Sequence, residues 1–438
     1  MNLDLKKDSF MKLSHISISV TLIFLLISFS MCNSYSAEGN GYVKIRCVIH
    51  VHTTISSGYL TVEDYSRLAK EKDLDAVIIT DNALYRYEYG LWPLRRILRK
   101  VVEKGSILKY GPKNYLEAIE KANKRYKDVI IIDGAQVTPF YFWTGSIFKA
   151  NLTLNNRNKD MLIIGLGDVQ SYKNLPLVGN RRSRFDQYHG DKFTKPYQDL
   201  IDYANQRGAL TFWSHPEIEE NLSVSGVRLI TIPYSYDLLG TKDYTGFGVF
   251  AEGYGTVGKP LGLWDRVLTE YCQGKKAHPI WAIGELEYGG EEQKNLNDTM
   301  NVLYVKERSR EGFLDAFKKG RFYVASKEPH KTHLMLDEFI LCDEVLEESA
   351  MMGETLVSNN APLVKIKLSH EKFINEQINV KLIRNNQIIR EFNGTESVDV
   401  EFKDEDVKPN DSVYYRIDVV SQDTTRLISS PIFFKRSR

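Results

Sequence analysis

Two hydrophobic patterns divide the chain. Between about residues 41 and 325, short apolar runs alternate with longer amphipathic stretches. The apolar runs are 42–52, 75–81, 128–137, 161–168, 209–215, 227–232 and 279–285. Continuous apolar runs of this length are typical of parallel strands that are covered on both faces. The first pattern therefore predicts an α/β domain, either a barrel or a doubly wound sheet.

Four amphipathic stretches in the same region predict helices. They are TVEDYSRLAKEKD (61–73), KNYLEAIEKANKRY (113–126), KPYQDLIDYANQRG (195–208) and SREGFLDAFKKGRF (309–322). In the first stretch, Thr61 is placed to cap the helix and Asp64 lies at the third helical position. This spacing predicts a capping box.

After about residue 332 the second pattern begins, in which apolar and polar residues alternate with period two. This alternation predicts strands, and Asn385-Asn386 between two of them predicts a hairpin turn. About 100 residues of this kind suit a small β-sandwich. We therefore expect an α/β domain over 37–332 and an all-β sandwich over 333–438.

The N-terminal segment, 1–36, predicts export. Residues 16–30 are apolar, Lys12 precedes them and small or polar residues follow, which is typical of a secretory signal peptide cut near Ser36 or Ala37. The run is shorter than the ~20 residues that a membrane span needs. Instead of being cleaved, the segment could remain as a membrane anchor, or the chain could be attached to lipid at Cys32. We expect a periplasmic or extracellular protein, which would be bound to a membrane only if the segment is uncleaved or Cys32 is lipidated.

The composition narrows the class of partner. Lys plus Arg number 58 and Asp plus Glu number 57, so the formal net charge is +1. A nearly neutral chain argues against nucleic-acid binding through a broad basic surface. Four cysteines are too few for a disulfide scaffold, so the fold must depend on its hydrophobic core.

Side chains that can bind metals recur where the apolar runs end. His50 and His52 are two apart in the first run, so we expect them to face the same side of a strand. The others of this kind are Asp81, Gln136, His215, Glu285 and Glu287. The carboxyl ends of parallel strands converge on one rim, and imidazoles with carboxylates suit Zn, Mn or Fe. Taken singly, each residue also fits an ordinary turn, cap or solvated rim.

The order of these residues resembles the PHP (polymerase and histidinol phosphatase) superfamily. The stretch IHVHTTISSGYLTVEDYSRLAKEKDLDAVIITDN (49–82) is similar to the family's opening, in which an HxHT strand, a Ser-x-Gly loop, a helix and a strand ending in Thr-Asp-His follow one another. The later segments GAQVTP, WSHP and SREGFLDAFKKGRFYVAS also resemble family segments, so the similarity covers about residues 43 to 326. It implies a distorted seven-stranded (β/α) barrel with up to three metal ions. Most members hydrolyse phosphoesters through a metal-bound hydroxide, and some exported members carry a C-terminal β-sandwich.

The chain departs from the family pattern at three places. Asn82 stands where the family has a histidine, and Gln136 stands where it has a bridging glutamate. The family's Asp-x-His pair reads Glu285-Leu286-Glu287 here. The ligands that the resemblance implies are His50, His52, Asp81, His215 and Glu285, for one or two divalent ions of Zn, Mn or Fe. In a hydrolase, His215 or Glu285 could transfer the proton, and Asn82, Gln136 and Glu287 would form an additional, altered site.

Two functions from different classes remain open at this point. The first is an exported metal-dependent hydrolase with a reduced metal site that acts on a small phosphorylated or related substrate. The second is a barrel that has lost catalysis and serves as a ligand-binding or cell-surface module. The paired histidines favour the first function, whereas the two amides favour the second.

Overall fold

The structure is a computed structural model that describes residues 41–179, 187–250, 252–422 and 425–438. The predicted signal peptide, 1–36, lies outside the described residues, so export stays a prediction. Across the described ranges, no helix is both long enough and apolar enough to cross a bilayer.

The helices of the described residues are short, and most cover the strands of the first region. They are α1 (Val62–Glu71), α2 (Ile107–Tyr110), α3 (Pro112–Arg125), α4 (Val169–Lys173), α5 (Lys195–Asn205), α6 (Asp237–Gly240), α7 (Leu263–Cys272) and α8 (Arg310–Lys319). The predicted capping box of α1 is confirmed, because Asp64 N–H donates to the Thr61 hydroxyl and Thr61 N–H donates to the Asp64 carboxylate. The end of α8 is also as expected, since Gly320 adopts φ 71° and stops the helix.

Sixteen described strands precede residue 330. They are β1 (Val43–Val51), β2 (Ala76–Ile79), β3 (Arg86–Gly90), β4 (Arg99–Glu103), β5 (Ile130–Val137), β6 (Phe142–Thr144), β7 (Thr153–Asn155), β8 (Met161–Ile164), β9 (Leu210–Trp213), β10 (Glu220–Val224), β11 (Val227–Thr231), β12 (Gly246–Gly248), β13 (Trp281–Ile283), β14 (Glu285–Tyr288), β15 (Thr299–Val305) and β16 (Phe322–Ser326). The main sheet runs β13-β12-β9-β8-β5-β2-β1-β15-β16, and β14 pairs in parallel with β1. Only Gly284 lies between β13, at one edge of this order, and β14, which pairs with β1. The chain therefore leads from the β13 edge of the sheet back to β1.

Two of the predicted parallel strands were assigned wrongly. The run 161–168 forms β8, which is antiparallel to both β5 and β9. Between β5 and β8 the chain holds only two short strands and a 3₁₀ turn, so there is no helical crossover to return it in parallel. The run 227–232 forms β11, which lies in a separate small sheet, β10-β11-β7-β6. Apolar content thus indicates a strand but not its direction or its sheet, nor, for β11, its burial.

The C-terminal region is rich in antiparallel strands. The described strands of this region are β17 (Leu334–Asp343), β18 (Glu348–Met351), β19 (Thr355–Ser358), β20 (Leu363–His370), β21 (Gln377–Arg384), β22 (Gln387–Thr395), β23 (Ser397–Lys403), β24 (Ser412–Ser421), β25 (Thr425–Ser429) and β26 (Ile432–Arg436). Among them, β19 pairs in parallel with β26. The predicted hairpin is confirmed, because β21 pairs with β22 and Asn385 and Asn386 both have positive φ. One sheet is β18-β17-β20-β23, and the other continues from β16 through β25, β24 and β21 to β22. The boundary at 332/333 stays a prediction, because this pairing joins the two regions.

Two hydrophobic clusters support the described chain. The larger extends through both regions. The smaller consists of Tyr87, Tyr141, Trp143, Leu152 and Leu154, and lies under the β3–β4 hairpin. The three cysteines of the described residues are free thiols, so no disulfide contributes here.

A buried ion pair connects α7 to β24. The Arg416 guanidinium donates from Nε and Nη2 to the two carboxylate oxygens of Asp265, both at 2.6 Å, and neither side chain is exposed. The Tyr414 hydroxyl donates to the same carboxylate at 2.9 Å. Removing one partner of such a pair leaves the other charge buried without compensation.

We therefore expect Asp265→Asn to lower the free energy of unfolding by about 3–5 kcal/mol. The measurement is a urea denaturation curve followed by circular dichroism. Asp399→Asn is the control, because its partner Lys367 is half exposed and water already solvates both charges. Equal denaturation midpoints for the two variants would contradict a stabilising role of the buried pair.

Candidate metal centre

A bulge at the end of β1 positions the first histidine. Ile49 pairs with Ile78 and Val51 pairs with Ile79, so His50 is an extra residue on β1. Its φ of 67° places it in the left-handed region, and such bulges re-aim a side chain next to a site. The rings of His50 and His52 lie with centroids 5.2 Å apart.

Two further strands complete a buried cluster. His215 follows β9, and its ring centroid is 5.7 Å from that of His50. Glu285 begins β14. His50, His215 and Glu285 are all buried, and each offers a ligand atom within 4.8 Å of those of the other two. The structure thus brings together three of the residues that the sequence predicted as metal ligands.

The Glu285 carboxylate connects these strands. It accepts a hydrogen bond from Nδ1 of His50 at 2.8 Å, one from the Ser214 hydroxyl and one from the His215 backbone N–H at 3.0 Å. Burial raises its pKa, but the hydrogen bonds and the charges of the histidines outweigh burial, so the pKa is lowered overall. Space for the side chain comes from Gly248 on β12, where a Cβ would lie 1.2 Å from Glu285 Oε1.

The hydrogen bonds of His50 determine which ring nitrogen is free. An ionised carboxylate only accepts, so Nδ1 of His50 must carry the proton that is donated to Glu285. In the neutral ring the lone pair is then on Nε2. This atom is buried and has no hydrogen-bond partner among the described residues. A histidine held by a carboxylate in this way is the usual form of a metal-binding imidazole.

Serine hydroxyls accept from Nδ1 of His215 and of His52, so these two rings carry the Nδ1 proton as His50 does. The Ser214 hydroxyl donates to Glu285 and therefore accepts from Nδ1 of His215, at 3.2 Å. The Ser56 hydroxyl donates to Asp81 and accepts from Nδ1 of His52, at 3.3 Å. In their neutral forms all three imidazoles present the Nε2 lone pair.

His52 and His215 differ in their tendency to carry a charge. Burial lowers the pKa of His52 well below its usual value, and the charges of the neighbouring histidines lower it further, so the ring is neutral. Burial also lowers the pKa of His215, but the Asp160 carboxylate and the charge of Glu285 reverse this and raise it to about 9. Its Nε2 lies 3.4 Å from Asp160 Oδ2.

Asp160 is a site residue that the sequence analysis missed. Gln136 Nε2 donates to its Oδ2 at 2.9 Å, and the Thr138 hydroxyl donates to its Oδ1. Because β8 is antiparallel to its neighbours, the residue before its first position lies at the rim where the parallel strands end. Asp160 thus precedes its strand instead of ending it, which is why the pattern of residues at strand ends does not indicate it.

Asp81 lies outside the cluster of His50, His215 and Glu285. Its carboxylate accepts from the Thr53 N–H at 2.7 Å and the Thr53 hydroxyl at 2.6 Å, besides Ser56. Burial outweighs these hydrogen bonds and raises its pKa. The contact it shows is therefore with the loop that orients His52, and its role as a metal ligand stays a prediction.

The three residues of the predicted altered site are spread along the rim. Asn82 and Gln136 pair through their backbones, and the Gln136 side chain is directed to Asp160. Glu287 is exposed, and its carbonyl accepts from Lys294 Nζ at 3.2 Å. Metal binding by these residues stays a prediction.

Several residues in and around the cluster of His50, His215 and Glu285 have a left-handed backbone conformation. His50, His215, Glu252 and Glu287 all have positive φ, between 29° and 67°. Such conformations cost free energy and are frequent at functional sites. Glu252, also missed from the sequence, is exposed, and partial burial together with the charge of Glu287 outweighs the opposing effect of His215 and raises its pKa.

Comparisons with known proteins give remote structural similarity. No protein-family model matches the sequence, and no curated protein matches it. The chain is similar to a two-domain protein from Bacteroides vulgatus ATCC 8482 that contains a predicted PHP-like metal-dependent phosphoesterase, with 14% identity, coverage of 86% of this chain and 91% of that chain, and a TM-score of 0.39. It is also similar to a protein from Bifidobacterium adolescentis ATCC 15703 whose proposed activity is that of a metal-dependent phosphoesterase, with 12% identity, coverage of 57% and 89%, and a TM-score of 0.29. Both scores are low, so the functional proposal depends on the side chains of the centre.

We expect Asp160→Asn to lower the pKa of His215 from about 9 towards its usual value. The carboxylate favours the protonated imidazole, so its removal favours the neutral form. The measurement is an NMR titration of the imidazole in chelator-treated protein. Asp199→Asn, at an exposed residue paired with Lys195, is the control. An unchanged His215 titration in Asp160→Asn would show that the 3.4 Å contact does not exist in solution.

Proposed function

We propose that this protein is a metal-dependent hydrolase of phosphate esters, with a divalent transition metal at the cluster of His50, His215 and Glu285. The observation that carries the proposal is the common orientation of the imidazoles, each anchored through Nδ1 so that Nε2 is directed away from the anchoring group. A histidine retained only for packing has no need of this arrangement. The orphaned, buried Nε2 of His50 is the strongest single sign of a ligand that completes the site.

The residues present fit a transition metal. His50 and His215 would hold it through Nε2, with His52 and the Asp160 carboxylate next to them. Glu285, which accepts from Nδ1 on the opposite edge of the His50 ring, would orient that imidazole. Neutral imidazoles combined with carboxylates suit Zn, Mn or Fe. When bound, such an ion lowers the pKa of its water towards neutrality and polarises a phosphoryl oxygen. The amide at Gln136 cannot replace a bridging carboxylate, which supports a reduced site with one ion.

The charges of the centre make a cation necessary for binding a phosphate ester. Asp160, Glu285 and Glu287 all act on His215 as negative neighbours that raise its pKa. Glu252 adds a further carboxyl at the rim. An anionic substrate is repelled by this set unless positive charge offsets it.

Side chains of the protein would supply the other functions of the site, namely positioning and proton transfer. Glu285 and Ser214 hold the imidazoles in place. Glu252 is the best suited proton donor for a leaving group, because its raised pKa favours the protonated form and its side chain is exposed. This assigns to Glu252 the proton transfer that the sequence predicted for His215 or Glu285.

The finer architecture is part of the same proposal. A distorted seven-stranded barrel would consist of β1, β2, β5, β8, β9, β12 and the β13–β14 pair, and the pairing of β14 with β1 supports closure. The two C-terminal sheets support a β-sandwich over 333–438. Export of the mature chain is supported by the sequence of 1–36 alone.

We expect His50→Ala to lose bound metal and the turnover of p-nitrophenyl phosphate, because it removes an anchored ligand. The measurements are element-resolved metal analysis of the purified protein and turnover with added Mn²⁺ or Zn²⁺. His189→Ala is the control, since His189 is exposed and contacts Gln187 instead of the cluster. His50→Gln, with thermal unfolding of each variant, separates loss of the ligand from loss of the fold. Equal metal content in His50→Ala and His189→Ala would remove His50 from the site.

The second candidate function is a catalytically inactive ligand-binding barrel, favoured by the amides at Asn82 and Gln136. The same experiment separates the two. Wild-type protein that carries no metal and turns over no aryl phosphate with any added ion contradicts the hydrolase and supports the binding module.

We expect Gln136→Glu to raise the metal content of the protein from one towards two ions per chain. The new carboxylate would face Asp160 where the amide now donates at 2.9 Å, and a second cation offsets the repulsion of two carboxylates. Metal analysis after dialysis against excess Mn²⁺ is the measurement, with the isosteric wild type as its reference. A content that stays at one ion would show that Gln136 is not what reduces the site.

A further inference from the structure

The β3–β4 hairpin presents apolar and basic side chains together on one exposed segment. Its two strands form a sheet of their own, and β4 is exposed along most of its length. We call the side chains that it exposes the hairpin surface. They are Trp92, Leu94, Arg96, Ile97, Leu98, Arg99, Lys100, Val101 and Val102.

The apolar part of the hairpin surface is large. Trp92 is 76% exposed and Ile97 is 75% exposed. Leu94, Leu98 and Val102 lie beside them in the sequence and are also exposed. Contiguous apolar side chains in water are unfavourable, and such patches mark a surface that another molecule covers.

The same segment carries a concentrated positive charge in a chain that is almost neutral. Residues 91–104 contain Arg95, Arg96, Arg99, Lys100 and Lys104 and a single acidic residue, Glu103. Arg99 donates to the buried Glu88 at 3.2 Å. Within the described part of the chain, Arg96 and Lys100 form no ion pair.

The hairpin surface is held in a defined shape. Leu91 N–H donates to the Leu98 carbonyl at 2.8 Å, and Ile97 N–H donates to the Leu94 carbonyl at 2.8 Å. At its base, Trp143 Nε1 donates to the Glu88 carbonyl at 3.0 Å. An ordered segment pays little conformational entropy when it binds.

We propose that the hairpin surface docks on an anionic lipid bilayer. Its composition fits a membrane interface, where Trp lies at the headgroup level, aliphatic side chains enter the acyl boundary and Lys or Arg contact lipid phosphates. The run 91–104 carries five basic residues and one acidic residue, a charge complementary to that of anionic lipid headgroups. Docking through this hairpin is independent of any N-terminal anchor.

The hairpin is close in sequence to the metal centre. β3 begins four residues after Asn82, whose backbone pairs with Gln136 at the rim. Docking of the hairpin surface would therefore tether the centre to the lipid surface.

Tryptophan fluorescence of the full chain tests this docking locally. The sequence holds five tryptophans, and the other four, Trp143, Trp213, Trp264 and Trp281, are buried. We expect a blue shift of the emission when vesicles of phosphatidylglycerol and phosphatidylcholine in equal parts are added. Vesicles of phosphatidylcholine alone should give a much smaller shift, and high salt should reverse it. The N-terminal 36 residues contain no tryptophan, so their own binding to lipid does not produce this signal.

Matched variants separate the apolar and basic contributions in vesicle co-sedimentation. We expect the double variant Arg96→Gln with Lys100→Gln to weaken partitioning into the anionic vesicles about 30-fold. Trp92→Ser with Ile97→Ser should weaken it at least as much. The control is Lys372→Gln with Phe373→Ser, which removes one basic and one large apolar side chain at exposed positions of the C-terminal region. Its partitioning should equal that of the wild type.

Three outcomes would overturn the proposal. The first is an emission spectrum that anionic vesicles leave unchanged. The second is partitioning that both hairpin variants retain. The third is a dimer in lipid-free solution that Trp92→Ser dissociates, which would assign the hairpin surface to a second copy of the chain.

Discussion

The carboxylate of Glu285 is the interaction on which the centre depends. It joins β14 to His50 on β1 and to Ser214 and His215 after β9, so one buried charge positions three strands. A buried carboxylate is costly unless hydrogen bonds compensate it, and here an imidazole, a hydroxyl and a backbone amide do so. The glycine at 248 leaves room for it. The strand geometry and the orientation of the histidines are consequently parts of the same network.

The same network extends to the other two histidines. The rings of His52 and His215 are each held by a serine whose proton is given to a carboxylate. Asp160 supplies negative charge beside His215, next to the position where Gln136 carries an amide. Negative charge is therefore present beside His215 although the neighbouring side chain at position 136 is an amide.

The two regions of the chain are joined by contacts as specific as those of the centre. The pairing of β16 with β25 continues the main sheet into the C-terminal strands, and the ion pair of Asp265 and Arg416 fixes α7 against β24. The β3–β4 hairpin, in contrast, is supported by its own small aromatic cluster. Its exposed apolar and basic side chains can thus meet a partner without disturbing the main core.

Local patterns in the sequence were sufficient for much of this description. The capping box of Thr61, the turn at Asn385-Asn386 and most strand positions follow from residues close in the chain, because caps, turns and periodicity are local. The spacing of His50 and His52 also predicts neighbouring rings, although the bulge at His50 is what sets its direction. The direction of β8, the sheet that holds β11 and the joining of the two regions do not, because they depend on how distant segments return to the sheet.

The residues of the candidate site also fall into those that the sequence indicates and those that only the structure reveals. The sequence by itself determined that His50, His52, His215 and Glu285 are residues of ligand type at strand ends. Only the tertiary structure decided that Asp160 and Glu252 lie beside them and that Asp81 is engaged by Thr53 and Ser56. The physical reason is that hydrogen-bond partners and charges are set by distances in space, which a linear spacing of residues does not contain.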